Sequence, residues 1–341
     1  MGTPAVRVGI VGAGTNTRAK HLPGFQGIPG VEVVAVCNRS PASSAAVAEA
    51  FGIPKTLDSW QTLVADEDID AVLIGTWPYL HAPVTLAALA AGKHVLCEAR
   101  MAMNHREALA MYEASQARPE LVAMLVPSPF TLPWDRCIQR LLAEEAIGDL
   151  LHVDVFANSG AFQDADRAMT WREDVALSGL NTMMLGIYYE AMARWTGPAE
   201  VVAAQSRVTV PRRKDAGGQW REIRIPDHLD VLGRFRSGAS LHLRCSQVTG
   251  ACPTPDSFLL YGSRGTLHLD LRASSLSLLL PGGRREQIDP RPEERESWRV
   301  EAEFIGAIRG EEPVRRTRFS DGVDYMRFTR DVARASLHRA L

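Results

Sequence analysis

The chain has 341 residues, 46% hydrophobic and 23% charged, with a formal net charge of −2. Those values describe a globular protein with a real core, and they leave no bulk charge to draw it to nucleic acid or an anionic membrane. The length suits two ordinary domains or one large one.

The first part of the chain alternates short apolar runs with helical patterns, which predicts a parallel sheet assembled from βαβ units. Val6–Val11 reads as the first strand and Val31–Cys37 as the second. Ser40 is placed to cap a helix that starts at Pro41 and stops near Gly52. A third strand is expected over Ala71–Gly75. An Ala/Leu-rich helix follows over Pro83–Ala91, with Gly92 just past its end. His94–Cys97 is a fourth strand. Asn104, with Glu107 three residues on, caps the next helix, and Leu121–Val126 is a further strand.

Pro127, Pro129 and Pro133 then break the pattern. They read as the linker between a domain over 1–127 and one over 128–341. One helix (Asp135–Glu145) precedes a strand-rich region: Leu151–Phe156, Val201–Val210, Leu229–Phe235, Ser240–Ser246, Ser257–Tyr261, Thr266–Leu271 and Leu276–Leu280. Turns at Arg236-Ser237-Gly238 and Ser263-Arg264-Gly265 join pairs of them as hairpins. Arg212-Arg213-Lys214, ahead of Asp215 and two glycines, reads as a solvated hairpin loop. Arg299–Arg309 and Tyr325–His338 read as closing helices. The expected fold is α/β: a doubly wound parallel sheet, then an α+β domain with a large, mostly antiparallel open sheet.

The five cysteines, at 37, 97, 137, 245 and 252, are odd in number and form no C-x-x-C pair. Free thiols in a reducing compartment fit this better than disulfides or a zinc site. The sequence enters a strand almost at once, unlike a signal peptide, and no apolar stretch reaches membrane-spanning length without a break. A cytoplasmic protein without a membrane partner is expected.

The first strand runs into Gly12-Ala13-Gly14-Thr15-Asn16-Thr17. A Rossmann dinucleotide turn needs one glycine for the tight bend and a second so that the backbone can approach the pyrophosphate, which then meets the helix N-terminus. Gly12 and Gly14 fill those places. Thr17 stands where a third glycine would give close helix–strand packing. The alternative is a tight turn that holds no ligand. The second strand ends in Asn38-Arg39-Ser40. An acidic residue there would hold the ribose of NAD. Asn38 does not repel a 2′-phosphate, Arg39 can clamp it and Ser40 can donate to it, so the segment leans towards NADP over NAD. Arg39 stacked on adenine or facing solvent leaves that choice open.

Further segments resemble the Gfo/Idh/MocA oxidoreductases along nearly the whole chain. Lys20-His21-Leu22-Pro23 belongs to the opening loop. Gly75-Thr76-Trp77-Pro78-Tyr79-Leu80-His81 is similar to the family's T-P-N-x-x-H segment. The resemblance implies that this segment, with Thr76, Trp77, Pro78 and His81, passes the nicotinamide half of the cofactor. Ala91 to Glu98 resembles the G-K-H-V-x-x-E-K-P block, Ala146 to Leu150 the G-x-I-G turn, Trp171-Arg172 with Ser178-Gly179 the W-R…G-G segment, and Leu260 to Leu267 the Y-G-x-x-G-x-L hairpin.

Two positions depart from the family. E-K-P reads Glu98-Ala99-Arg100, so the lysine is missing. The D-x-G-x-H motif aligns with Met184-Leu185-Gly186-Ile187-Tyr188, so its acid and its histidine are missing as well. Tyr188 is the first replacement candidate for acid/base work. A phenol needs a nearby cation to act at neutral pH, and Arg100 is the candidate cation. A core tyrosine is the equal alternative. Glu98 is placed on the cofactor side, as both a catalytic and a cofactor-binding candidate. Asn181, Trp171 and Arg172 are substrate-binding candidates, near the irregular polar segment of Asp164, Asp166 and Arg167. His152, His228, His242 and His268 do not cluster in sequence, and no metal is expected.

The resemblance implies an NAD(P)-dependent enzyme acting on a sugar, inositol or related polyol. The alternative is a non-catalytic cofactor or ligand sensor, a course taken in this family by the galactose-pathway repressor. A homo-oligomer, dimer or tetramer, is also expected from the family's sheet-to-sheet packing.

Overall fold

A computed structural model describes residues 5–253 and 256–337. The chain falls into two compact units: Met1–Pro127 with Arg299–Val323, and Ser128–Trp298 with Asp324–Leu341.

The first unit is built on a sheet of β1 (Val6–Val11), β2 (Val31–Cys37), β3 (Lys55–Thr56), β4 (Ala71–Ile74), β5 (His94–Cys97) and β6 (Ala123–Leu125), in the order β3-β2-β1-β4-β5-β6. Every pairing is parallel. The order reverses beside β1, which opens a crevice at the carboxyl ends of β1 and β4. Val8, Ile10, Leu73, Ile74, Val95 and Leu96 are fully buried, as a sheet covered on both faces requires. Its helices are α1 (Leu22–Gln26), α2 (Pro41–Phe51), α3 (Trp60–Ala65), α4 (His81–Ala90) and α5 (His105–Gln116). The expected punctuation holds: Ser40 accepts from the Ser43 N–H, Asn104 accepts from the Glu107 N–H, and Gly52 and Gly92 take positive φ. The short elements β3, α1 and α3 carry too little periodicity to be read from the sequence.

The second unit contains α6 (Asp135–Ala143), α7 (Val175–Ser178) and α8 (Leu185–Thr196). Its strands are β7 (Leu150–Asn158), β8 (Ala199–Arg207), β9 (Arg212–Lys214), β10 (Trp220–Glu222), β11 (His228–Phe235), β12 (Ser240–Ser246), β13 (Ser257–Gly262), β14 (Thr266–Asp270), β15 (Ser275–Leu279) and β16 (Arg285–Ile288). Eight form one sheet, ordered β16-β15-β14-β13-β7-β12-β11-β8, and β9 pairs with β10 apart from it. Only β7 and β12 run parallel in the large sheet. Val153, Val155, Val231, Leu241, Leu243, Phe258 and Leu260 bury one face. Each such side chain contributes roughly 1.5–3 kcal/mol relative to exposure.

The opposite face carries polar and charged side chains. Register sets Asp154 beside His242 and Asp230 beside Arg244. His152 and Tyr261 join Asp154, and His228 joins Asp230. All four histidines thus share one face of the sheet, with His268 two strands from Asp154 through Leu259. Among the described residues, no group of three or more His, Cys, Asp or Glu side chains is arranged to hold a metal ion.

The basic run departs from the expected loop. Arg212–Lys214 is the strand β9, and the turn begins only at Asp215. Arg213 is 1% exposed and pairs with Glu173 at 2.7 Å, while its guanidinium also donates to the carbonyls of Phe162 and Asp164. A buried arginine paired with a carboxylate and bonded to backbone oxygens ties the polar segment 162–173 to this hairpin.

The chain closes with α9 (Val300–Ile308), in the first unit, and α10 (Phe319–Leu337). α10 starts six residues before the expected Tyr325, and His338 lies outside the described residues. No helix among the described residues is long and apolar enough to cross a membrane.

Candidate active site

The turn after β1 is fixed by backbone geometry. Gly12 has φ of +88°, and a Cβ there would lie 2.7 Å from Thr76 Cγ2 and 2.8 Å from its amide nitrogen. Only glycine fits. Gly14 differs: a Cβ there would meet nothing closer than the Gly75 carbonyl at 3.8 Å. Protein packing does not demand glycine at this exposed position, so its bareness is free to serve a ligand's approach. Thr15 and Asn16 follow, exposed, and Thr17 is buried at the start of a π-helical turn, Thr17–His21, leading into α1. The close contact that a third glycine would allow is supplied from the other side. A Cβ on Gly75 would fall 2.3 Å from both the Gly12 carbonyl oxygen and Thr17 Oγ1. Gly75 therefore offsets the bulk of Thr17.

A cleft of about 570 Å³ opens here, lined by Gly12–Gly14, Arg18, Cys37–Ser40, Asp58–Gln61 and Thr76–Trp77. Its size is that of small-ligand pockets. Of the three residues read as phosphate-facing, two are engaged in local structure. Asn38 Oδ1 accepts from the Ala13 N–H at 2.7 Å, and its amide donates to Ser43. Asn38 is a brace between the glycine turn and α2. Ser40 Oγ accepts from the Ser43 N–H and caps α2, which leaves its O–H as a donor. Arg39 is exposed, with its guanidinium 5.7 Å from the centre of the Trp77 ring. It lines the cleft together with Arg18, whose Nε donates to the Ala13 carbonyl.

His81 does not fit a cofactor contact. It is fully buried, with Nδ1 2.8 Å from the Arg100 carbonyl and Nε2 3.0 Å from the Thr76 carbonyl. Burial holds its pKa below the ordinary value. The ring staples the Thr76 turn to the segment after β5. Pro78 opens the single turn Pro78–Leu80 ahead of α4. Arg100 is buried, and its peptide bond with Ala99 is cis.

Glu98 sits at the carboxyl end of β5 with three donors around it. Oε1 accepts from the Asn16 amide and from His21 Nε2 at 3.0 Å, and Oε2 accepts from the Ala99 N–H at 3.1 Å. Burial penalises its charge, but the bonds from His21 and Asn16 win and hold the carboxyl below its usual range. His21 is fully buried, and its Nδ1 donates to Glu301 Oε1 at 2.5 Å. Burial opposes its charge, yet the two carboxylates push its pKa up to about 9. The ring is an imidazolium at neutral pH. His21 stood in a quoted motif without a role. Glu301, 280 positions away, gave no signal in sequence.

In the second unit Tyr188, on α8, is 3% exposed and stacks on Phe258 with centroids 5.6 Å apart. Burial, then the neighbouring Asp256 to which its hydroxyl donates, push the phenol well above its ordinary pKa. The anion beside it shifts the phenol in the direction opposite to the one the expected acid/base role needs. Asn181 is buried after α7 and donates to the Ser178 carbonyl at 2.7 Å. Trp171 and Arg172 open a single turn, with the guanidinium 4.4 Å from the indole centre. Arg167 pairs with Glu173, and the Asp164 carbonyl accepts from Arg213.

Residues 6–125 match the oxidoreductase family with an NAD-binding Rossmann fold, GFO_IDH_MocA, and residues 136–268 match the GFO/IDH/MocA C-terminal domain. A levoglucosan dehydrogenase of Pseudarthrobacter phenanthrenivorans is 26% identical over 77% of this chain and 73% of its own. An inositol 2-dehydrogenase of Saccharopolyspora erythraea is 29% identical over 69% and 65%. A levoglucosan dehydrogenase structure in complex with NADH and L-sorbose superposes with a TM-score of 0.86, covering 98% of this chain and 97% of that one at 21% identity. The chain belongs to the GFO/IDH/MocA family of oxidoreductases, with an NAD-binding Rossmann domain at its N-terminal end.

Proposed function

We propose that the protein is an NAD(P)-dependent oxidoreductase that moves hydride to or from a carbinol carbon of a polyhydroxylated small molecule: a sugar, an inositol or a related cyclic polyol. The observation that carries this is the glycine turn. Gly12 is demanded by the fold, whereas Gly14 is bare towards the cleft, which is the division of labour a pyrophosphate site needs. The nicotinamide, when bound, supplies the hydride donor or acceptor. Arg39, the charged one of the three residues at the end of β2, supports a preference for NADP through charge-assisted bonds to a 2′-phosphate. Glu98 is the ionised group on the β5 side.

Levoglucosan and inositol, in the names of two relatives, are polyhydroxylated rings and support the substrate class. On this reading Trp171 offers a flat apolar face, and Arg172 and Asn181 offer hydrogen bonds to hydroxyls. Tyr188 keeps its proton and takes a packing and hydrogen-bonding role. We carry forward a homo-oligomer through the exposed face of the large sheet.

One observation favours a sensor on the same fold: with Ala99 for the lysine and a proton-holding Tyr188 for the histidine, neither of the family's proton-transfer positions is a working acid/base. The test is NADP⁺ and NAD⁺ reduction, followed at the nicotinamide absorbance, with a panel of levoglucosan, myo-inositol and common aldoses. Turnover that requires cofactor supports the enzyme and removes the sensor. Tight cofactor binding with no turnover across the panel and its ketone counterparts puts the sensor first.

A further inference from the structure

Glu98, His21 and Glu301 form a row in the first unit, buried at His21 and Glu301 and partly open at Glu98, and two of the three have no part in the hydride-transfer reading. The row is built by separate elements. His21 ends the π-helical turn, Glu98 follows β5, and Glu301 stands in the first turn of α9. α9 is held on α1 by the edge-to-face pair Phe25 and Phe304, 6.4 Å apart. Gly24 leaves room for the carboxylate: a Cβ there would lie 2.7 Å from Glu301 Cδ. A buried imidazolium between two carboxylates is costly unless every charge is paired. Here the ring uses both nitrogens, and Glu98 brings a negative charge to the open end of the row.

The direction in which that charge acts follows from strand order. The cleft lies over the ends of β2 and β1 and the turn after β4. A dinucleotide that enters over β2 and crosses the Gly12–Gly14 turn continues past β4 towards β5. Glu98 stands at the end of β5, its side chain still 15% exposed. An ionised carboxylate has about four acceptor positions, and three are occupied by Asn16, His21 and the Ala99 N–H. The oxidised nicotinamide ring is a cation and the reduced ring is neutral.

We propose that His21 and Glu301 are positioning residues that hold Glu98 ionised and fixed at the end of β5, so that the protein binds the oxidised nicotinamide in preference to the reduced one. This rests on the dinucleotide reading above. The groups facing His21 include the two carboxylates, with the Asn16 amide beside them.

The test compares dissociation constants for NADP⁺ and NADPH (and for NAD⁺ and NADH) at pH 7.5, by nicotinamide fluorescence for the reduced forms and competition for the oxidised ones. Glu98→Gln should cut the preference for the oxidised form about tenfold, with the affinity for the reduced form changed less than about twofold. Glu301→Gln should cut it less, about threefold, and should lower the His21 pKa seen by ¹⁵N-histidine NMR of the cofactor-free protein. A merely structural role would weaken both redox forms alike. If Glu301→Gln does not fold, wild type at pH 7.5 and 9.5 gives the same test: loss of the His21 proton makes the row more negative and raises the preference. An unchanged ratio in Glu98→Gln, or a His21 that titrates at its ordinary value, overturns the proposal and leaves the dinucleotide site standing. Binding of neither form by the folded protein overturns both.

Discussion

Glu98, half-buried, and Tyr188, buried, are both acids at positions singled out by the family resemblance, and their surroundings are opposite. Glu98 is met by an imidazolium, an amide and a backbone N–H, which hold it ionised. Tyr188 is met by two aromatic rings and a carboxylate, which hold its proton on. Burial alone raises the pKa of both, and the sign of the nearest charge decides where each ends. The first unit has kept a charged, preorganised end to its sheet. The second has turned its corresponding segment into packed core.

The sharpest way to break this contrast is at the glycine contact. Gly75→Val puts side-chain atoms where the Gly12 carbonyl and Thr17 Oγ1 already stand, and the backbone cannot yield. We expect cofactor affinity to fall more than about 100-fold and stability to drop by about 3 kcal/mol, read by fluorescence titration and thermal melts. A Tyr188 variant should leave cofactor affinity unchanged.

The next effect is pH-dependent. The folded pKa of His21, about 9, lies above its ordinary value of 6.5. The stability it contributes is therefore complete below about pH 6.5 and is lost as pH rises through about 9. Melting temperatures from pH 6.5 to 10 should fall across that window, and Glu301→Gln should move the fall to lower pH. A flat profile would remove the imidazolium from the account. Tyr188 adds nothing in this window, since its proton stays on.

Smaller still is Arg39→Ala. It should weaken NADPH about tenfold and NADH hardly at all, and equal losses would make Arg39 a stacking group. Tyr188→Phe is the smallest change: about 1 kcal/mol of stability from the lost bond to Asp256 and less than about threefold in turnover. A loss beyond about 100-fold would restore Tyr188 as the acid/base.

The same contrast explains what could be read from the sequence. β1, β2 and β5, the caps Ser40 and Asn104 and the Gly12–Gly14 turn were legible, because each is dictated by neighbours within a few residues. Glu301 was not, since its partner is 280 positions away and the pairing exists only once α9 packs on α1. Asn38 and Ser40 were chosen for the right chemistry, but nearer backbone donors claimed their side chains. Arg213 looked solvated because three adjacent cations usually are. Strand alternation turns the middle one inward, where Glu173 meets it. Tyr188 depended on Asp256, a partner brought in by tertiary packing.

The central claim is that the cleft beside Gly12 and Gly14 holds a nicotinamide dinucleotide. The most direct measurement is a fluorescence titration of the purified protein with NADPH and NADH, alongside Gly12→Val checked for folding by circular dichroism. Saturable binding by wild type, lost in the folded variant, is the predicted result. A folded wild type that binds neither dinucleotide, or a folded variant that binds as well as wild type, would contradict the account.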